Sequence, residues 1–352
     1  MTRNTPRVAV VGAGAVSAFG LGWRGLGGAV VEGTPLRSTS HALSTTHPGV
    51  EASEVPALMP IQDAGDARQR KLMSRGARLA AVALREALHD ARWNEGREEI
   101  GAFVGVGSSG GSMDELTNML GASIDGGTFS HERFGQEGLA ACNPLFAFQL
   151  MNNYTLCHGA ILEGVGGPNG AFFSRGAGTV RALREAVMSV AIGECERALA
   201  GGSDSALHPV TWAELAREGL IDQGLVPGEG AGMLALSSRP EDAPLAYIER
   251  CEVRPMTSLT HATYDCRSRA DAAVVSAWGP IPGGELGLAV ARLGIRAAHS
   301  GRVLGEALAA SPALAWTAAL DLLVKRRARR VLVLSLGVDG EVGLVELAGV
   351  SR

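Results

Sequence analysis

The sequence lacks a long apolar run, a large net charge and any cysteine arrangement typical of metal or redox sites. No stretch reaches the roughly 18 apolar residues that a transmembrane helix needs, so no membrane-spanning segment is expected. The 352 residues carry a formal net charge of only −4, which gives no electrostatic reason to expect nucleic acid or an anionic membrane as a partner. The five cysteines include neither a C-x-x-C pair nor zinc-ligand spacing. Free thiols in a reducing cytoplasm are therefore predicted, and no metal site is.

An apolar run, Val8–Val11, opens the chain and leads into a glycine-rich stretch. Glycines interrupt the run early, so a first buried strand is favoured over a signal peptide. A cytoplasmic location is therefore predicted. Gly12, Gly14 and Glu32 also lie near the spacing of a dinucleotide-binding fingerprint. A serine replaces the third glycine, and the many glycines that follow disfavour a helix. An NAD(P)-binding oxidoreductase is therefore kept only as an alternative.

The segment from residue 166 to residue 204 organises the rest of the chain. A strand-like run, Ala171–Phe173, is followed by a glycine-rich elbow, an amphipathic helix and a second strand, Ala198–Asp204. Many enzymes place a nucleophile at such an elbow, because the free N–H groups of the helix favour an anion there. This elbow has no cysteine, and its serine, Ser174, has no base nearby in the sequence.

This segment and its surroundings resemble the β-ketoacyl synthases, the condensing enzymes of the thiolase superfamily. In that family a G-P-(N/S) turn precedes the active cysteine, and an A-G-G-(S/T/A)-(D/E) strand follows the helix. Here the turn is at Gly167 and Pro168, and the strand ends at Gly201–Asp204. An N-P-x-F element that begins at Asn143 has the family spacing from the elbow, and Gly228–Gly232 resembles the family's G-(E/D)-G-A-G element.

The resemblance implies a thiolase-like α/β fold, with two related halves and mixed sheets in five layers, αβαβα. It divides the chain into an N-terminal half, residues 1–240, and a C-terminal half, residues 241–352. It also implies an obligate dimer that is joined through a central strand.

Each position that would carry the family's chemistry holds another residue. The condensation requires a thiolate, two imidazoles and a lysine that orients the second imidazole. By alignment with the family motifs, Gly176 replaces the cysteine, Trp278 the first histidine, Glu306 the second histidine and Gly301 the lysine. The resemblance therefore implies that the chain alone has no catalytic residue for this reaction, and it implies no cofactor.

A family member with these losses resembles a chain-length factor, the partner of a catalytic ketosynthase in a heterodimer. In that role it shapes the tunnel that holds a growing polyketide or polyene, and an acyl carrier protein is reached through the complex. Chain-length factors of aromatic polyketide systems usually carry glutamine where this chain has Gly176, which points to a polyene branch. Six residues are assigned by the resemblance to the tunnel or interface: Met113, Leu116, Met119, Phe146, Phe172 and Phe173.

Other interpretations of these features stay open. Plain core packing would explain Phe146 and the apolar residues near 113–119 equally well. A homodimeric acyl-binding scaffold would differ from a chain-length factor only in its choice of partner. The basic run Lys325–Arg330 fits favourable charge at a helix C-terminus, or a patch that receives an acidic acyl carrier protein.

Overall fold

Ten strands follow one another in a single mixed sheet path. The computed structural model describes residues 7–56, 65–108, 110–255, 269–277 and 290–350. The strands are β1 (Ala9–Ser17), β2 (Gly101–Val106), β3 (Asn169–Phe173), β4 (Arg197–Ser205), β5 (Glu229–Ser237), β6 (Ala246–Pro255), β7 (Ala272–Ala277), β8 (Arg296–His299), β9 (Arg330–Leu336) and β10 (Glu341–Gly349). Two-residue strands add small hairpins, and one of them, Gly20–Leu21, pairs with β1.

The sheet consists of two halves with the same topology. In each half the order of the five strands is 3-2-4-5-1, which is β3-β2-β4-β5-β1 and then β8-β7-β9-β10-β6. In each half the pairs from the first strand outward are antiparallel, antiparallel, parallel and parallel. A short antiparallel contact between Ala9–Val10 and Ala246–Tyr247 joins the halves. A division of the chain at residue 240 would separate the two sets of strands, and that boundary stays a prediction.

Seven helices of seven residues or more lie within the described part of the chain. They are α1 (Leu26–Glu32), α2 (Arg75–Asp90), α3 (Met113–Ala122), α4 (Tyr154–Glu163), α5 (Val180–Ile192), α6 (Pro209–Arg217) and α7 (Ser311–Val324). Shorter helical turns include Ala67–Arg70, Pro144–Phe146, Ala147–Leu150, Ala177–Thr179 and Ser300–Leu304. Among these described helices none is both long and apolar enough to cross a lipid bilayer.

The helices and the two halves of the sheet stack in five layers. α5 and α7 lie between the halves and contact strands of both, and almost every residue of α7 is buried. α2 and α4 cover the outer face of the first half. Helical residues 290–293 pack on the outer face of the second half. The sequence predicts a helix over Leu286–Leu293, and the residues of that prediction before 290 lie outside the described residues. This arrangement confirms the predicted thiolase-like α/β fold.

Several helix boundaries follow directly from local sequence. Ser74 caps α2 because its hydroxyl accepts a hydrogen bond from the Ala77 N–H at 3.2 Å. α5 ends at Gly193, whose left-handed backbone (φ 79°) closes the last turn. The start of α2 at Ser74 is also what the sequence predicts, because a serine there precedes an apolar stripe at helical spacing.

The predicted dinucleotide fingerprint is wrong. Gly12 and Gly14 lie inside β1, paired with Ala235 and Met233 of β5, whereas a phosphate-binding loop must follow its strand. A Cβ at Gly14 would overlap the carbonyl oxygen of Ala83, so this glycine allows α2 to pack closely on the strand. The Ala13 N–H donates to the carboxylate of Asp90 at 3.0 Å and is not available to a phosphate. The structure therefore removes the basis of the oxidoreductase alternative.

Candidate functional site

The elbow, residues 174–178, lies where the carboxyl ends of the parallel strands β2, β3 and β4 meet. The Ser174 N–H donates to the Val106 carbonyl at 2.9 Å, which fixes the turn against the end of β2. The buried hydroxyl of Ser174 accepts from the Gly176 N–H at 3.0 Å and donates to the Gly176 carbonyl at 2.9 Å. Both of these bonds remain inside the turn, and no base among the described residues contacts the hydroxyl, so Ser174 is bonded as a structural residue and not as an activated nucleophile.

The backbone at Gly176 leaves no room for a side chain. Its φ of 148° is a conformation that residues with a Cβ rarely adopt. A Cβ built there would overlap the Cα of Gly337, which belongs to the loop 337–340 between β9 and β10. The position that the sequence resemblance aligns with the family cysteine is therefore closed by the backbone of another loop.

The helix N-terminus after the elbow already holds an anion from this chain. The Gly178 N–H donates to Oδ2 of Asp339 at 3.1 Å. Free N–H groups at a helix start attract negative charge, and here a carboxylate of the loop 337–340 satisfies one of them. A thiolate or an oxyanion at this place would compete with Asp339.

One arginine in the elbow and one in α5 are held in ion pairs. Arg175 forms a bidentate pair with Glu218, with N–O distances of 2.9 and 2.8 Å. That hydrogen bond raises the pKa of Arg175 and lowers the pKa of Glu218. Arg181 pairs with Glu341 in the same bidentate way. These two pairs connect the elbow and α5 to α6 and to β10.

Glu306, at the position of the second histidine, is a buried acid that holds a turn. Only 1% of its surface is exposed. Its Oε1 accepts from the Leu308 N–H at 2.7 Å and from the Ser311 hydroxyl at 2.8 Å, while its Oε2 has no partner among the described residues. Burial raises its pKa to about 8, and the nearby carboxylates of Asp339 and Asp204 act in the same direction. At neutral pH the side chain is mainly an uncharged acid, not a cationic imidazole.

The two other replaced positions add no functional group in the described residues. Gly301 lies in the helical turn Ser300–Leu304, just before Glu306, and has no side chain to orient a neighbour. Trp278, at the position of the first histidine, lies outside the described residues.

Asp204, at the carboxyl end of β4, is a site residue that the sequence reasoning missed. It is 4% exposed and accepts hydrogen bonds from the N–H groups of Ser205 at 2.8 Å and Ala309 at 3.4 Å. Burial raises its pKa to about 7, against the opposing effects of these bonds and of Arg175. The available signal was an acidic residue at the end of an apolar strand. From the sequence, Asp204 is assigned only to the end of that strand.

A cavity of about 150 Å³ lies beside Asp204. Its walls are the start of α2, the loop after β2 and the residues after β4, including Arg75, Ser108, Thr155, Asp204 and His208. The guanidinium of Arg75 is bound to the buried carboxylate of Glu229. His208 Nδ1 accepts from the Val210 N–H, so its Nε2 donates to the Gly111 carbonyl at 2.9 Å. Burial lowers the pKa of His208, which acts as a neutral helix cap.

The six predicted tunnel or interface residues occupy three places and do not line this cavity. Phe146 is buried within its own chain against Gly111, where a Cβ would overlap its ring. Met113 and Leu116 are half-buried on α3, and Met119 is buried there. Phe172 packs towards the central layer, whereas 59% of Phe173 is exposed. Their tunnel roles stay predictions.

The unpaired edge of the first half-sheet is apolar. Among the described strands β3 pairs only with β2, so no described strand covers its outer edge. Large exposed apolar side chains lie on β3 and on the flanking helices: Phe173 at 59%, Ile192 of α5 at 70% and Ile161 of α4 at 73%. A bare strand edge beside exposed apolar helix surfaces is a typical place for another chain to pair.

Residues 5–242 match the model of the family described as "Beta-ketoacyl synthase, N-terminal domain". The chain is 30% identical over 222 residues to nodulation protein E of Rhizobium meliloti, which covers 58% of this chain and 50% of that protein. It is 25% identical over 193 residues to 3-oxoacyl-(acyl-carrier-protein) synthase 2 of Synechocystis sp., which covers 49% of this chain and 43% of that protein. The alignments thus span about half the length of these relatives or less.

A solved structure described as the ishigamide ketosynthase/chain length factor has the same fold. It superposes with a TM-score of 0.74 and 23% sequence identity, over 98% of this chain and 100% of the other.

Proposed function

Because this chain belongs to the β-ketoacyl synthase family, we propose that it is a non-catalytic subunit of a ketosynthase heterodimer that resembles a chain-length factor. In this proposal the partner supplies the cysteine and the histidines, and this chain supplies part of the wall that surrounds the partner's growing polyketide or polyene. An acyl carrier protein delivers substrate to the complex, not to this chain alone.

The closed elbow carries the proposal. Gly337 fills the space of a side chain at Gly176, and Asp339 occupies the N–H of Gly178. If only the cysteine had been replaced, the rest of a catalytic site could remain in place. Here, however, the backbone and a carboxylate of the same chain fill the elbow. An acyl thioester at this elbow would require the loop 337–340 to move.

The apolar edge of β3 supports the choice of a two-chain assembly. Phe173, Ile192 and Ile161 present apolar surface on both sides of an unpaired strand. Covering them with another chain would remove this surface from water, at about 25 cal/mol per Å². The structural relative described as a ketosynthase/chain length factor supports a partner of the same fold.

Co-expression with a ketosynthase that keeps the Cys-His-His set, from the same genome, tests the proposal. We expect one complex with a 1:1 ratio of the chains in size-exclusion chromatography with light scattering. Phe173→Asp should abolish that complex, because it buries a charge in the apolar contact. Leu36→Asp is the control and should leave the complex intact, because Leu36 is an exposed leucine that lies outside β3.

A monomer, or a homodimer that does not take up the ketosynthase, would contradict the heterodimer. The homodimeric outcome would favour an acyl-binding scaffold instead. Condensation of malonyl-acyl carrier protein by the isolated chain would contradict its non-catalytic role.

A further inference from the structure

A second cavity lies at the amino-terminal ends of β7 and β8, away from the elbow. Its volume is about 340 Å³, within the size range of small-molecule pockets. Its walls combine apolar residues of α1, α7 and the two strands with two arginines: Val31, Ala272, Ala273, Ala298, Leu322, Arg296 and Arg327. We call this cavity the arginine groove.

The two arginines have no acidic partner within the described part of the chain. Arg296 is the first residue of β8, and Arg327 follows the C-terminus of α7; both are exposed. Neither side chain forms an ion pair or a side-chain hydrogen bond with any residue that the structure describes. Two positive charges beside one groove, with no counter-charge among its walls, favour a negatively charged ligand.

The end of α7 places Arg327 over the groove. Arg326 has a left-handed backbone, φ 54°, and its N–H donates to the Leu323 carbonyl at 3.0 Å, while the Arg327 N–H donates to the Leu322 carbonyl at 2.9 Å. These two bonds form a Schellman motif, which turns the chain back towards α1. The guanidinium of Arg327 lies beside α1, since a Cβ built on Gly28 of that helix would be 3.5 Å from its Nη1.

We infer that the arginine groove binds an organic anion with one oxyanion head and a short apolar body. The guanidinium groups of Arg296 and Arg327 match a phosphate or carboxylate head, since each guanidinium presents several N–H donors in a planar fork. The side chains of Val31, Ala298 and Leu322 form an apolar wall that the apolar part of the ligand can contact. This site is separate from the elbow, and the inference does not depend on the proposed heterodimer.

Calorimetric titration of the intact chain tests the site. The probes are octyl phosphate and octanoate, with inorganic phosphate for the head alone and octanol for the body alone. We expect at least one of the two amphiphilic anions to bind about tenfold or more tightly than either fragment, because both parts of the groove are then used. Binding of octanoate as well as octyl phosphate would assign the recognition to the shared negative charge; binding of octyl phosphate alone would assign it to the phosphate.

Matched variants locate the bound anion. Arg296→Gln and Arg327→Gln should each weaken binding about tenfold or more, by removing a charge-assisted contact. Arg326→Gln removes the same charge from the neighbouring residue, which does not line the groove, and should leave the affinity within about twofold. Val31→Trp should fill the groove from the exposed side of α1 and abolish binding, while the melting temperature is kept. The inference is overturned if neither amphiphilic anion binds at millimolar concentration, or if Arg326→Gln weakens binding as much as Arg327→Gln does.

Discussion

At the scale of single residues, the replacements at the positions aligned with the family's catalytic residues involve the backbone as well as the side chains. Gly176, Gly301 and Glu306 were identified as replaced positions from the sequence, because the motifs around them have fixed spacing. The sequence could not show that Gly337 lies against Gly176, since the two residues are far apart in the chain and the contact depends on the whole fold. Asp339 was missed for the same reason, since its contact with Gly178 also depends on the whole fold.

Gly176→Cys should not restore condensation, and it should destabilise the chain. We expect a loss of about 3 kcal/mol in the free energy of unfolding, because about 1–2 kcal/mol arises from the backbone conformation and the rest from overlap with Gly337. Denaturant unfolding measures the loss, and incubation with an acyl-acyl carrier protein measures acylation of the new thiol. Gly121→Ala, in α3 and with open space around it, is the control and should stabilise the chain slightly. A Gly176→Cys protein of unchanged stability that becomes acylated would contradict the closed elbow.

Glu306 should make stability depend on pH. Its pKa rises from the ordinary 4.5 to about 8 on folding, so the folded state binds the proton more tightly than the unfolded state. Its stabilising effect is therefore complete below pH 4.5 and is lost as the pH rises towards 8. Thermal unfolding between pH 5 and pH 8 should show a fall in melting temperature that Glu306→Gln reduces. Asp204→Asn should reduce it in the same direction, since burial raises that pKa to about 7. An equal slope in wild type and Glu306→Gln would show that Glu306 does not cause the fall.

At the scale of helices and strands, local signals predicted most boundaries. The cap of α2 and the periodicity of α5 correspond closely to the observed elements, and the predicted strand Ala198–Asp204 lies within β4. β1 was the main exception, because its glycines were read as a loop. Gly12 and Gly14 are in the strand because Ala91 and Ala83 of the α2 region approach its backbone closely. Propensity alone cannot distinguish a glycine that breaks a strand from one that lets a helix approach it.

The end of α7 offers a test of local backbone cost. Arg326 adopts a left-handed conformation where helices usually have glycine. Arg326→Gly should therefore raise the free energy of unfolding by about 0.5–1 kcal/mol, as measured by denaturant unfolding. The control is Arg327→Gly, at the next position, which has no positive φ to relieve and should give no gain. A loss of stability in Arg326→Gly would mean that its side chain contributes more than the strained backbone costs.

At the scale of the whole molecule, the two halves have the same topology but contribute different parts of the elbow region. The carboxyl ends of β2, β3 and β4 hold the elbow, and a loop from the second half, residues 337–340, closes it. Contact between the halves brings Gly337 against Gly176 and leaves no room for a side chain in the elbow. The apolar edge of β3 then remains as the part of the molecule that is most clearly available to another chain.

The proposed role in setting chain length can be tested on α3. Leu116 is half-buried on a helix between the loop after β2 and an exposed apolar segment, and the family resemblance assigns it to the tunnel. If it forms part of the tunnel wall, Leu116→Ala should make the products of the reconstituted heterodimer longer by one or more extension units, because the smaller side chain leaves more space. Mass spectrometry of the released products measures this length. Leu36→Ala, away from β3, is the control. Unchanged products from an intact Leu116→Ala complex would remove Leu116 from the tunnel wall.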